Sequence, residues 1–100
     1  MTTGNANFES NANVKRKLSK HAQKRCCQRG IPQLSLRLVT AFGEKEHDNM
    51  GAIRYLMTSN SIEDLRRVVG STQQVDALKG VYAVVSATDN TVITVGHRFN

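Results

Sequence analysis

The sequence predicts an α+β domain in which two N-terminal helices pack on an antiparallel sheet of about four strands. Three observations carry this expectation. A segment with its own start and stop signals runs from Ser19 to Gly30. A second, strongly apolar segment follows it as far as Gly43. Late in the chain, two alternating β-branched runs flank Thr88-Asp89-Asn90 and read as a hairpin.

Taken in order, residues 1–13 are polar and Asn-rich, with no apolar stretch of the kind a secretory signal needs. They are expected to be a flexible lead-in. Residues 14–100 are the length of one small domain. Ser19 is placed to cap the first helix, and residues 20–29 contain no Gly, Pro or β-branched residue. Gly30 supplies a left-handed stop, Ile31 its hydrophobic contact, and Pro32 forbids continuation. Leu18, Ala22 and Cys26 fall at steps of four and form an apolar stripe. His21, Arg25 and Arg29, also at steps of four, form a ridge about 100° around the helix from it.

Pro32 suits the first position of a second helix over residues 32–42, whose apolar face holds Leu34, Leu36, Leu38, Val39 and Phe42. Residues 44–48 are polar and begin a strand, with His47 expected in a solvated loop. Asn49-Met50-Gly51 reads as a turn, and residues 52–58 alternate as a strand. Ser59-Asn60-Ser61 gives a loop and cap for a short helix over residues 62–69. Residues 71–80 read as a polar connection. Strands over residues 81–87 and 91–99 are expected to pair at the centre of the sheet. Strand periodicity places Val92, Thr94, Gly96 and Arg98 on one face of the last strand, and Ile93, Val95, His97 and Phe99 on the other.

The charge is concentrated. Residues 14–30 hold Lys15, Arg16, Lys17, Lys20, Lys24, Arg25 and Arg29, half of the fourteen Lys and Arg, and no acid. The net charge of +6 therefore belongs to this segment, because the rest of the chain is nearly neutral. A one-sided cationic helix favours a polyanion, with nucleic acid ahead of an anionic membrane. The helix lacks the Leu, Phe and Trp face of an interfacial helix, and no apolar run is long enough to span a bilayer. The two cysteines, Cys26 and Cys27, are neighbours that diverge on a helix and cannot bridge each other. Free thiols imply a reducing, cytoplasmic setting, and no further cysteine completes a metal site. No metal or other cofactor is expected.

The spacing His21-x3-Arg25-x3-Arg29-Gly30-Ile31, preceded by Ser19, together with the strand Val92-Ile93-Thr94-Val95, resembles a family of small bacterial domains of unknown function. That family is similar to the RelE/ParE-like toxins, within the barnase, colicin and RelE group of metal-independent ribonucleases. The resemblance covers residues 18–98. It implies a two-helix N-terminus on a curved antiparallel sheet, RNA as substrate, ribosome association, and an acidic antitoxin partner. Residues 62–80 read as an insertion relative to that family, and Gly96-His97-Arg98 stands where its members often carry an aromatic.

Metal-free RNA cleavage needs a base for the 2′-hydroxyl, an acid for the leaving oxygen and cations for the phosphorane charge. Imidazole suits the first two roles and the guanidinium fork suits the third. The candidates are His21, Arg25, His97 and Arg98 for catalysis, and Lys17, Lys20, Lys24 and Arg29 for RNA contact. His21 could equally pack or cap, His97 could sit at the core edge, and Arg98 is the residue best placed to enter an open groove. Tyr55 and Tyr82 could stack bases or fill the core. Two other classes stay open: a nucleic-acid binder without catalysis, and a module that docks an acidic protein.

Overall fold

The computed structural model describes residues 17–98. The expected lead-in at residues 1–13 and the expected strand residue Phe99 lie outside the described residues. In chain order the elements are α1 (Lys20–Arg29), α2 (Ser35–Phe42), β1 (Glu44–His47), β2 (Ala52–Leu56), α3 (Ser59–Val69), α4 (Gln73–Asp76), β3 (Val81–Ser86) and β4 (Val92–His97). The four strands form one antiparallel sheet in the order β1-β2-β3-β4. The fold is α+β, as the sequence predicts.

The α1 signals act as read. Ser19 Oγ accepts the Ala22 N–H at 3.0 Å. Gly30 adopts φ 66°. The Ile31 N–H reaches the Cys26 carbonyl at 2.9 Å and the Gly30 N–H the Cys27 carbonyl at 3.4 Å, which is the paired bonding of a Schellman stop. Ala22 and Cys26 are buried while Cys27 is exposed.

One face of the sheet carries the core. Along β3, Val81, Ala83 and Val85 are buried and Tyr82, Val84 and Ser86 are half-buried. Tyr55, Val92 and Val95 join the buried set, and the helices meet it with Ala22, Cys26, Leu36, Val39, Ile62 and Leu65. The opposite, open face presents Arg54, Leu56, Tyr82, Val84 and Thr94, all half-buried. All four residues of β1 are exposed.

Several expectations need correction. The second helix begins at Ser35, not Pro32. Residues 32–34 form a tight turn in which the Ser35 N–H bonds the Pro32 carbonyl at 2.9 Å and the Leu36 N–H the Gln33 carbonyl at 3.1 Å. Leu34, placed on the apolar face by the longer helix, is 74% exposed. The third helix begins three residues earlier than expected, because Thr58 is the cap and accepts the Ser61 N–H at 3.2 Å. Ser61, expected as the cap, is buried in the first turn. Within the polar connection, Thr72 caps the single turn α4 and Val75 packs into the core. His47 belongs to β1 rather than to a loop, although it is exposed as expected.

The hairpin is not central either. β3 is an inner strand, but β4 lies at the rim, where the chain entering α1 covers it. The Val92 N–H bonds the Lys17 carbonyl at 2.7 Å, and the Ser19 N–H the Val92 carbonyl at 3.0 Å. The face assignment on β4 also changes. Register runs Val84↔Thr94 and then Val85↔Val92, so Ile93 is an extra residue in a β-bulge. Val92 therefore turns inward at 1% exposure and Ile93 outward at 42%.

Candidate nucleic-acid interface

Helix α1 is held beside β4 at two points on its first turn. Ser19 Oγ, besides capping the helix, donates to the Ile93 carbonyl at 2.9 Å. Two residues on, His21 Nε2 lies 3.0 Å from Thr94 Oγ1. Thr94 pairs with Val84 and Gly96 pairs with Tyr82, so all four belong to the open face. His21 thus stands at the margin of that face, exposed but tethered.

Next along β4 comes Gly96, where Tyr82 crosses the strand. A Cβ placed on Gly96 would meet Tyr82 Oη at 2.7 Å and Cζ at 2.8 Å. The phenol end therefore lies directly over the glycine, and only glycine leaves room for it. Arg98 follows two residues on, with its N–H bonded to the Gly80 carbonyl at 2.7 Å. The row on the open face reads His21 with Thr94, Tyr82 over Gly96, then Arg98. Alternate strand residues are about 6.6 Å apart, so the row is about 13 Å long from Thr94 to Arg98.

The cations of α1 are uncommitted. Lys17, Lys20, Lys24 and Arg29 are exposed, and none of them makes an ion pair among the described residues. Arg25 is half-buried, and its Nε is shut off from solvent with no hydrogen-bond partner among the described residues. The ion pairs lie elsewhere: Arg54 Nη2 donates to both carboxylate oxygens of Glu46 at 2.8 and 2.9 Å, Arg66 meets Asp76, and Arg67 meets Asp64. Among the described residues, positive charge on the α1 side is therefore not neutralised by neighbouring carboxylates, as it is on β1 and β2.

The expected catalytic groups fall in three places rather than one hollow. His21 is at the margin of the open face. His97, paired with Val81 on the helix-covered side, lines a recess of about 280 Å3 with Arg29, Ile31, Pro32 and Leu78. Arg98 lines a separate cleft of about 660 Å3 at the end of the sheet, with Lys79 and Ser59. Adjacent residues on a strand point to opposite faces, which is why His97 and Arg98 part company. Tyr55 is a core residue at 7% exposure, whereas Tyr82 is the aromatic of the open face.

Sequence reading missed Thr94, Gly96 as the seat of Tyr82, and Lys79. The first two depend on cross-strand register, which no local pattern encodes. Lys79 sits before Gly80, whose φ of 82° turns the chain into β3; a Lys-Gly step at a strand entry was the available signal. No helix among the described residues is long and apolar enough to cross a membrane. No family model matches the chain, and neither a curated protein nor a solved structure matches it.

Proposed function

We propose that the protein binds single-stranded RNA along the open face of the sheet, with Tyr82 stacking a base and the α1 cations contacting phosphates. The observation that carries this reading is Tyr82 lying over Gly96 between His21 and Arg98, beside cations with no acidic partner among the described residues. An aromatic on a sheet face flanked by Lys and Arg is the arrangement that holds unpaired bases without reading their sequence. Duplexes, whose bases are already stacked, offer Tyr82 nothing, so preference for single strands is the signature.

A second reading, favoured by His21 standing at one end of that row, adds cleavage without metal, as the RelE-like resemblance implies. His21 would then exchange a proton with the 2′-hydroxyl or the leaving oxygen, and the neighbouring cations of α1, Lys20 and Lys24, would hold the phosphate, because Arg98 lies too far along the row to reach it.

Fluorescence anisotropy of a labelled oligoribonucleotide tests the first reading. Tyr82→Ala is expected to weaken binding about 5- to 150-fold, the range for loss of one stacked base. Lys20→Ala with Lys24→Ala is expected to lower the steepness of the salt dependence. Equal affinity for single strand and duplex, unchanged by Tyr82→Ala, would remove the reading. Cleavage is tested by incubating RNA in EDTA and looking for 2′,3′-cyclic phosphate ends that vanish in His21→Ala while binding persists.

A further inference from the structure

The cleft at the end of the sheet carries chemistry that stacking on Tyr82 does not use. It is lined by Lys79 and Arg98 together with Thr58, Ser59 and Leu56, and no acid is among its described lining residues. Both cations are exposed, and neither makes an ion pair among the described residues. The Thr58 hydroxyl is occupied in capping α3, and Ser59, which also lines the cleft, makes no side-chain hydrogen bond among the described residues.

The floor is rigid. The Met57 N–H bonds the Val81 carbonyl at 2.9 Å, the Gly80 N–H bonds the Met57 carbonyl at 2.8 Å, and the Arg98 N–H bonds the Gly80 carbonyl at 2.7 Å. A Cβ on Gly80 would meet the Arg98 carbonyl oxygen at 2.9 Å. The missing side chain lets the two segments close together, so Lys79 and Arg98 emerge from backbone that is already fixed. Ligand binding then has to order only the two side chains and not the backbone that carries them.

Charge selects the ligand. An internal phosphodiester carries one negative charge, whereas a terminal phosphate monoester carries about 1.5 to 2 at neutral pH and offers three acceptor oxygens. Two cations with no acidic partner among the described residues, beside Ser59, match the monoester. The cleft also continues the row on the open face, since Arg98 is the next residue outward from Gly96 on that side of β4. We infer that this cleft takes the terminal phosphate of a nucleic-acid strand whose bases lie on the Tyr82 face. The inference rests on the strand-binding reading above and names the part of the strand that is recognised.

The test uses one oligoribonucleotide sequence with a 5′-phosphate, with a 3′-phosphate, or with hydroxyls at both ends, titrated against the full chain. One phosphorylated end is expected to bind about tenfold tighter than the hydroxyl-ended strand, the scale of charge-assisted hydrogen bonds. Which end shows the gain identifies the strand's direction. Lys79→Ala is expected to abolish the gain and leave hydroxyl-ended binding unchanged, and inorganic phosphate is expected to compete for the gain alone. Equal affinity for all three strands, or a gain that survives both Lys79→Ala and Arg98→Ala, overturns the inference and leaves strand binding standing. No binding of the hydroxyl-ended strand, with a nucleoside monophosphate still held through Lys79 and Arg98, overturns strand binding and supports the cleft.

Discussion

Replacing Gly96 by Ala tests the Tyr82 platform without touching an aromatic or a charge. The new methyl would begin 2.7 Å from Tyr82 Oη, 2.8 Å from Cζ and 3.0 Å from Cε2. Comfortable contact needs about 3.5–4.0 Å, so the ring tip has to move by about 1 Å. The obstacle is the far end of a rotatable side chain rather than backbone. Alanine also costs less than glycine in a strand, by roughly 0.5–1 kcal/mol, which offsets part of the lost packing. Stability is therefore expected to change by no more than about 1 kcal/mol in either direction, read by urea denaturation. Binding is expected to fall, by less than the about 5- to 150-fold of Tyr82→Ala, because the stacking surface is displaced from its position between Thr94 and Arg98 but not removed. A double-mutant cycle supplies the decisive comparison. If Tyr82 acts through its place over Gly96, then Gly96→Ala adds no further loss to Tyr82→Ala. Full affinity in Gly96→Ala, or losses that simply add, would refute the reasoning.

Three further outcomes follow from the same geometry. Ser19→Ala removes both a helix cap and the bond to the Ile93 carbonyl; it is expected to cost about 1–3 kcal/mol in urea denaturation, and a loss under half a kcal/mol would deny Ser19 the double role. Asp48 accepts the N–H groups of Met50 at 2.7 Å and Ala52 at 3.0 Å, and these bonds, Met50 first, hold its carboxyl below the usual range. Its contribution is then complete above the ordinary Asp value of about 3.9 and is lost as the pH falls through the lower folded value, so Asp48→Asn is expected to flatten the acid limb of a stability–pH profile. An unchanged acid limb would mean that the turn does not depend on the ionised form. Burial, and to a lesser degree the neighbouring Cys27, pushes the Cys26 thiol up, so alkylation at about pH 8 is expected to label Cys27 alone in the native chain and both thiols after unfolding; equal labelling rates by peptide mass spectrometry would contradict the buried placement.

The local parts of this fold are legible in the sequence. Ser19, Gly30 and Ile31 declare α1 because a cap and a left-handed stop are chemical properties of single residues. Turns at Asn49–Gly51 and Thr88–Asn90 are legible for the same reason. The errors begin where two candidates compete. Thr58 and Ser61 both suit a cap, and the choice falls to Thr58 because Ser61 can then be buried, its Oγ 3.1 Å from Thr58 Oγ1. Pro32 suits both a helix start and a tight turn, and the structure takes the turn, closed by the Ser35 N–H on the Pro32 carbonyl, with the helix starting at Ser35. The candidate site was legible as composition but not as arrangement. The charge of α1 is plain in the sequence, yet the separation of His21 from His97 depends on which face of β4 each one meets.

The extra residue in β4 has a consequence for changes in chain length. In a regular hairpin, losing one residue turns every later side chain over, sending core groups to solvent. Here Val92 and Val95 already share the buried face with Ile93 spare between them. Deleting Ile93 would therefore straighten the strand while leaving Thr94, Val95 and Gly96 facing as they do now. The contact forfeited is the carbonyl that Ser19 Oγ holds. A one-residue deletion at Val95 has no such slack and would invert the end of the strand, carrying His97 to the opposite side.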